Sequence, residues 1–181
     1  MKRYLVDHGN EVVKATEGES QRFIFFWRPD DPHGFLSNWS FHALKENHLI
    51  FKTAEHYLMY YKALTMGDGD VARRILESGN PREARSLGKS VKNWDEEKWE
   101  REREKIMFQA LWLKASQHAD VKRQLLATEG KIIAEASPYD AIWGIGLSSQ
   151  DKKALDVKNW VGKNLLGKTW MKVREILLNN E

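Results

Sequence analysis

Four short segments carry residues whose types and neighbours could do chemistry. The first is Lys52-Thr53-Ala54-Glu55-His56-Tyr57. Thr53 suits a helix N-cap, so Glu55 falls in the first helical turn. Free N–H groups there stabilise a carboxylate and hold it ionised. A fixed, ionised carboxylate orients water or balances a developing cation. On position alone, an acid placed for helix stability is the simpler account. The second segment is Pro138-Tyr139-Asp140, followed by Ala141-Ile142-Trp143-Gly144. A carboxylate on a rigid loop beside an indole loses water and gains proton affinity, which suits an acid. The simpler account of Asp140 is a turn aspartate bonded to its own backbone.

The third segment is Asn93-Trp94-Asp95. Asp95 has an obvious use as an N-cap. Trp94 then lies just outside the helix, where it either staples the entrance or offers its face to a base. The fourth is Val161-Gly162-Lys163-Asn164-Leu165-Leu166-Gly167. Glycine, lysine and a helix start together suggest phosphate binding. The spacing is not that of a P-loop, and a surface lysine is the simpler account of Lys163. The six histidines form no metal site by spacing, and Gly146-Leu147-Ser148-Ser149 lacks the closing glycine of a serine nucleophile elbow.

The elements that must position these groups are mostly helical. Arg22 to Trp27 reads as a buried strand, ended by the turn cluster Arg28-Pro29-Asp30-Asp31-Pro32-His33-Gly34. Phe41 to Phe51 reads as a hairpin. Helices are expected from Thr53 to about Leu64, from Asp70 to Glu77, and after the start signal Asn80-Pro81-Arg82-Glu83. The clearest helix spans about Asp95 to Ala115, with Trp99, Ile106, Ala110 and Leu113 as its apolar stripe and charged residues over the rest. Two more run from about Ala119 to Ala127 and from about Asn164 to Leu178, with a strand at 131–136 between them. Residues 1–21 read as an extension or edge hairpin ahead of a domain at 22–181.

Composition narrows the classes further. A chain of 181 residues with 41% apolar content builds a substantial core. The net charge of +3 is mild and spread out, which suits anionic small molecules or weak nucleic-acid contact. There is no cysteine, so disulfides, thiol nucleophiles and cysteine-rich zinc sites are excluded. No apolar run approaches the roughly 20 residues of a membrane span. The N-terminus does not read as a signal peptide, and the expected location is the cytoplasm. Eight tryptophans are many for this length; they fill cores or make flat walls for planar rings.

Taken in order, these segments resemble the YbiA/NADAR family. The matching pieces are Leu36-Ser37-Asn38-Trp39, Ala54-Glu55-His56-Tyr57, Leu87-Gly88-Lys89, Lys92-Asn93-Trp94, Tyr139-Asp140-Ala141-Ile142-Trp143-Gly144 and Gly162-Lys163-Asn164-Leu165-Leu166-Gly167. They span about Phe25 to Leu177. Each motif alone is weak, and their shared order is what makes the likeness specific.

The resemblance implies a mainly α fold, a single orthogonal helical domain with a few short strands, and N-glycosidase activity. With no ligand spacing and no cysteine, the reaction is expected to be metal-independent and to use no cofactor. The resemblance also implies one of two substrates: ADP-ribose attached to guanine in a nucleotide or nucleic acid, or a phosphoribosylamino-pyrimidine of riboflavin synthesis. It makes Glu55, Asp140 and Lys163 the catalytic candidates. Glu55 would handle the sugar cation and water and Asp140 the second acid–base step, or the two carboxylates would exchange these roles. Lys163 would pair with phosphate or attack an opened ribose as an amine. Asn38, Trp94, Trp143, Gly144 and Asn164 would contact substrate, with Arg28 and Lys89 near its phosphates. Phe26, Trp27, Phe35 and Trp39 add aromatic surface near the expected entrance, which favours the larger ADP-ribosyl substrate; the alternative is that Phe26 and Trp27, which end a strand, belong to the core. Two departures stand out. Ile145-Gly146-Leu147 replaces a common acidic, glycine-rich stretch. Lys89 stands where arginine is common, keeping the charge but losing the planar fork.

Overall fold

The computed structural model describes residues 22–180 and, ahead of them, two short strands, β1 (Leu5–Val6) and β2 (Val12–Val13), paired antiparallel. The rest of the expected N-terminal extension lies outside the described residues. From Arg22 onward the domain is mainly helical, as expected. Its elements are β3 (Phe23–Phe26), β4 (Leu44–Glu46), β5 (Leu49–Phe51), α1 (Ala54–Thr65), α2 (Gly69–Glu77), α3 (Pro81–Lys89), α4 (Glu96–Gln117), α5 (Ala119–Leu126), β6 (Ile132–Glu135) and α6 (Leu165–Asn179).

Helix starts follow local chemistry. Asp68, Asn80 and Asp95 each accept a hydrogen bond from the N–H three residues on, at 3.2, 3.0 and 2.9 Å. Thr53 does the same for α1, at 3.4 Å from the His56 N–H. Pro81 opens α3, where its missing N–H costs nothing. The hairpin β4–β5 turns at Asn47, whose φ of 52° lies in the left-handed region that asparagine tolerates.

The long helix α4 departs from expectation. Its buried face carries Trp99, Arg103, Met107, Ala110, Leu111 and Lys114, while Ile106 and Leu113 are only partly covered. The stripe is rotated by about one residue, so it draws two cations inward.

Strands β3 and β6 pair in parallel, with Phe23 opposite Ile132 and Phe26 opposite Glu135. Phe26 and Ile133 are buried, and Trp170 of α6 lies fully in the core beside Leu36. Both strands stop at the same end of the domain. The loops that follow them, 27–40 and 136–144, lie over the N-terminal end of α1.

Candidate active site

Those loops, with one face of α1 and one face of α3, enclose a cleft of about 720 Å³. Helix α1 contributes Glu55, Leu58, Met59 and Lys62, at the spacing of neighbours along one helical face. Helix α3 contributes Arg82, Arg85 and Lys89 in the same manner. Glu135 ends β6, and Asn38, Trp39, Asp140 and Trp143 come from the loops.

Glu55 is 6% exposed. Its N–H donates to the Asn38 carbonyl at 3.0 Å. Burial raises its proton affinity and brings the pKa up to about 7; Asp140 adds to the rise, while Arg85, the Trp39 indole hydrogen bond and Lys62 oppose it. The helix N-terminus was expected to hold this carboxylate ionised. Burial outweighs it, and Glu55 exchanges its proton near neutrality.

Glu135 behaves similarly. Burial first, then Asp140 and Glu55, push it up to about 8, with Arg85 opposing. Its Oε2 is buried without a hydrogen-bond partner. Two acidic side chains thus share a site and retain protons in a pH range where free carboxylates have none.

Asp140 is part of this group, but its Oδ1 does what a turn aspartate does. It accepts from the N–H groups of Ile142 and Trp143 at 2.9 and 2.8 Å. Lys62 lies across the cleft, its Nζ 4.5 Å from the Trp94 ring centre and 5.9 Å from that of Trp99. Burial lowers its pKa, while Glu55 and Glu96 support its charge.

The structure gathers six of the sequence candidates around the cleft: Arg28, Asn38, Glu55, Lys89, Asp140 and Trp143. Asn38 is buried with its Oδ1 unpartnered, and Arg28 stacks over Trp27 at 4.5 Å. Trp94 is 44% exposed and does not line the cleft itself; it meets two residues that do, Lys62 and Trp99, the latter with ring centres 6.2 Å apart. Gly144 serves packing, because a Cβ there would sit 2.9 Å from the carbonyl oxygens of both Asp140 and Glu135. Asn164 is buried and braces β6: its Oδ1 accepts from the Glu135 N–H at 3.2 Å, and its Nδ2 donates to the Ile133 carbonyl at 3.0 Å.

Lys163 is exposed and is not among the cleft residues; its N–H donates to the Ala141 carbonyl at 2.9 Å. Sequence reasoning missed Glu135, Lys62, Arg82 and Arg85. A lone glutamate ending the apolar run Ile132-Ile133-Ala134 was one available signal. The three-and-four spacing of Arg82, Arg85 and Lys89 was another.

Arranged this way, proton-bearing carboxylates face several cations and indole walls. That is the equipment of an acid–base enzyme acting on an anionic molecule with planar rings. Residues 25–178 match the model of the NADAR domain, and the chain belongs to that family. It is 38% identical over 174 residues to N-glycosidase R617 of Acanthamoeba polyphaga mimivirus, covering 96% of this chain and 95% of that one. It is 41% identical over 135 residues to protein irg-1 of Caenorhabditis elegans, covering 74% of this chain and 64% of that one. It is 29% identical over 154 residues to riboflavin biosynthesis protein VVA0006 of Vibrio vulnificus, covering 85% of this chain but 38% of that longer one. The fold is similar to the NMR structure of YbiA from E. coli, with a TM-score of 0.72, 29% identity, and 88% and 87% of the two chains covered.

Proposed function

We propose that this cleft hydrolyses a bond between ribose C1 and nitrogen, and that its substrate is ADP-ribose joined to guanine. The relative named an N-glycosidase along nearly its whole length supports the reaction class. The observation that carries the reading is the shared burial of Glu55 and Glu135, with pKa values of about 7 and about 8.

In the reaction, Glu135 gives its proton to the leaving nitrogen. The C1–N bond breaks and its electron pair stays on nitrogen. Positive charge spreads over C1 and the ring oxygen, and ionised Glu55 stabilises it. Glu55 then takes a proton from the water that attacks C1. The products are the unmodified guanine, still in its nucleotide or nucleic acid, and an ADP-ribose with a hydroxyl at C1. Asp140 holds its loop and raises the proton affinity of both glutamates.

The larger substrate fits the number of cations. Arg82, Arg85 and Lys89 on one helix face, with Arg28 opposite, suit two phosphates better than one. Trp27, Trp39 and Trp143 offer stacking surface for two ring systems. A second reading, hydrolysis of a phosphoribosylamino-pyrimidine, is favoured by the name of the Vibrio relative.

Separate incubations with ADP-ribosylated guanine DNA and with the pyrimidine intermediate, products identified by mass, test both. Free ADP-ribose should compete and ribose 5-phosphate should do so far more weakly. Equal weak competition removes the case for the larger substrate. Binding without product from either would make the chain a nucleotide-binding module instead.

A further inference from the structure

Lys114 lies on α4 with 0% exposure, outside the cleft. Its Nζ donates to the Ser37 carbonyl at 2.9 Å and to the Ser40 Oγ at 2.5 Å, and it lies 5.6 Å from the centre of the Trp170 ring. An apolar side chain of similar length would fill this space without the cost of burying an amine. Burial lowers its pKa to about 7, with Asp120 opposing. In either protonation state the amine keeps at least two N–H donors, the number used here.

What those two bonds hold is the loop that frames Glu55. The Ser37 Oγ accepts from the Trp39 N–H at 3.3 Å, and the Asn38 carbonyl accepts from the Glu55 N–H at 3.0 Å. The Trp39 indole is a hydrogen-bond donor to the Glu55 carboxylate. From the same side, the Trp170 Nε1 donates to the Leu36 carbonyl at 2.8 Å. The loop is therefore anchored from the core at Leu36, Ser37 and Ser40, and it meets the cleft at Asn38 and Trp39 between those anchors.

We propose that Lys114 is a positioning residue: from inside the core it clamps the Ser37–Ser40 loop, and through Asn38 and Trp39 it fixes Glu55 and its indole donor. The kinetic part of this inference rests on the N-glycosidase reading; the structural part does not.

The test uses the full chain with Lys114→Met, which keeps length and removes the donors, and Ser40→Ala, which removes one acceptor. Carboxyl carbon NMR follows the titration of Glu55, and indole nitrogen NMR follows Trp39. In Lys114→Met, Glu55 should titrate above its wild-type value, because the indole donor is no longer held in place. The Trp39 indole signal should shift or broaden, and kcat should fall about tenfold or more with KM within about twofold. Ser40→Ala should move the same signals in the same direction by less.

A Lys114→Met protein that melts earlier but keeps wild-type kcat, Glu55 titration and Trp39 signal overturns the proposal and leaves Lys114 a fold residue. If Lys114→Met does not fold, Ser40→Ala decides: an unmoved Glu55 titration and Trp39 signal overturn it. If the wild-type protein releases no product, the N-glycosidase reading fails, and the two NMR signals alone decide the role of Lys114.

Discussion

Replacing Glu55 by glutamine separates stability from catalysis, because the two should move in opposite directions. The carboxyl ionises at about 7 in the fold against 4.5 when free. A folded-state value raised in this way means the native protein holds more protons than the unfolded chain between those two pH values. Stability therefore falls as pH rises through that window, and the full cost is present above about pH 7. At about 1.4 kcal/mol for each tenfold change in proton affinity, the cost has an upper bound of about 3 kcal/mol. Glutamine has nearly the same shape and never ionises.

Urea unfolding of wild type and Glu55→Gln at pH 8.5 and at pH 4.5 measures this. The variant should be more stable by about 2–3 kcal/mol at the higher pH, and the two should agree closely at the lower one. Product release should be lost at both. A variant less stable than wild type at pH 8.5 would refute the argument that burial, rather than a favourable contact of the anion, governs Glu55. Retained turnover would remove Glu55 from the mechanism.

Arg85 lowers the proton affinity of both Glu55 and Glu135, so Arg85→Met should shift the rising limb of the pH–rate profile to higher pH; a limb that stays put would disconnect Arg85 from the glutamates. Gly144→Ala places a Cβ against two backbone carbonyl oxygens, and should cost about 1–3 kcal/mol in denaturant unfolding and lower kcat, by displacing the turns that carry Asp140 and Glu135; wild-type stability would show that the loop has room. Among the described residues no group of three or more His, Asp or Glu side chains stands as a metal ligand set. Turnover should therefore persist in a chelator, and loss restored by a divalent ion would contradict this.

Much of the scaffold is legible locally. Thr53, Asn80-Pro81 and Asp95 mark helix starts because an N-cap is a transaction between near neighbours. Glu55 and the Asp140 turn are found for the same reason. What the sequence does not reveal depends on distant partners. The ionisation of Glu55 is set by the loops that close over it, not by its own helix. Glu135 becomes part of the site because β6 pairs with β3 and ends at the cleft. Lys163 and Asn164 read alike in sequence, yet the backbone turn at Asn164, with φ of 51°, sends one side chain under β6 and leaves its neighbour at the surface. The cations inside α4 break its apolar pattern, because Lys114 answers to a loop more than seventy residues away.

The parallel pair β3–β6 has a consequence for how the chain is made. Ile132 follows its partner Phe23 by 109 positions. At ordinary rates of synthesis, β3 waits on the order of ten seconds for the strand that completes it. Parallel pairing over such a separation is also slow for entropic reasons. Helices α1 to α5 are all made before β6 begins, while Glu135 and the loop carrying Asp140 are still to come. A nascent chain therefore holds Glu55 on a finished helix beside an open space, and the cleft closes only when the last third of the protein arrives. Until then the aromatic strand Phe23-Ile24-Phe25-Phe26 has an unpaired edge. That makes it the segment most in need of a chaperone during synthesis.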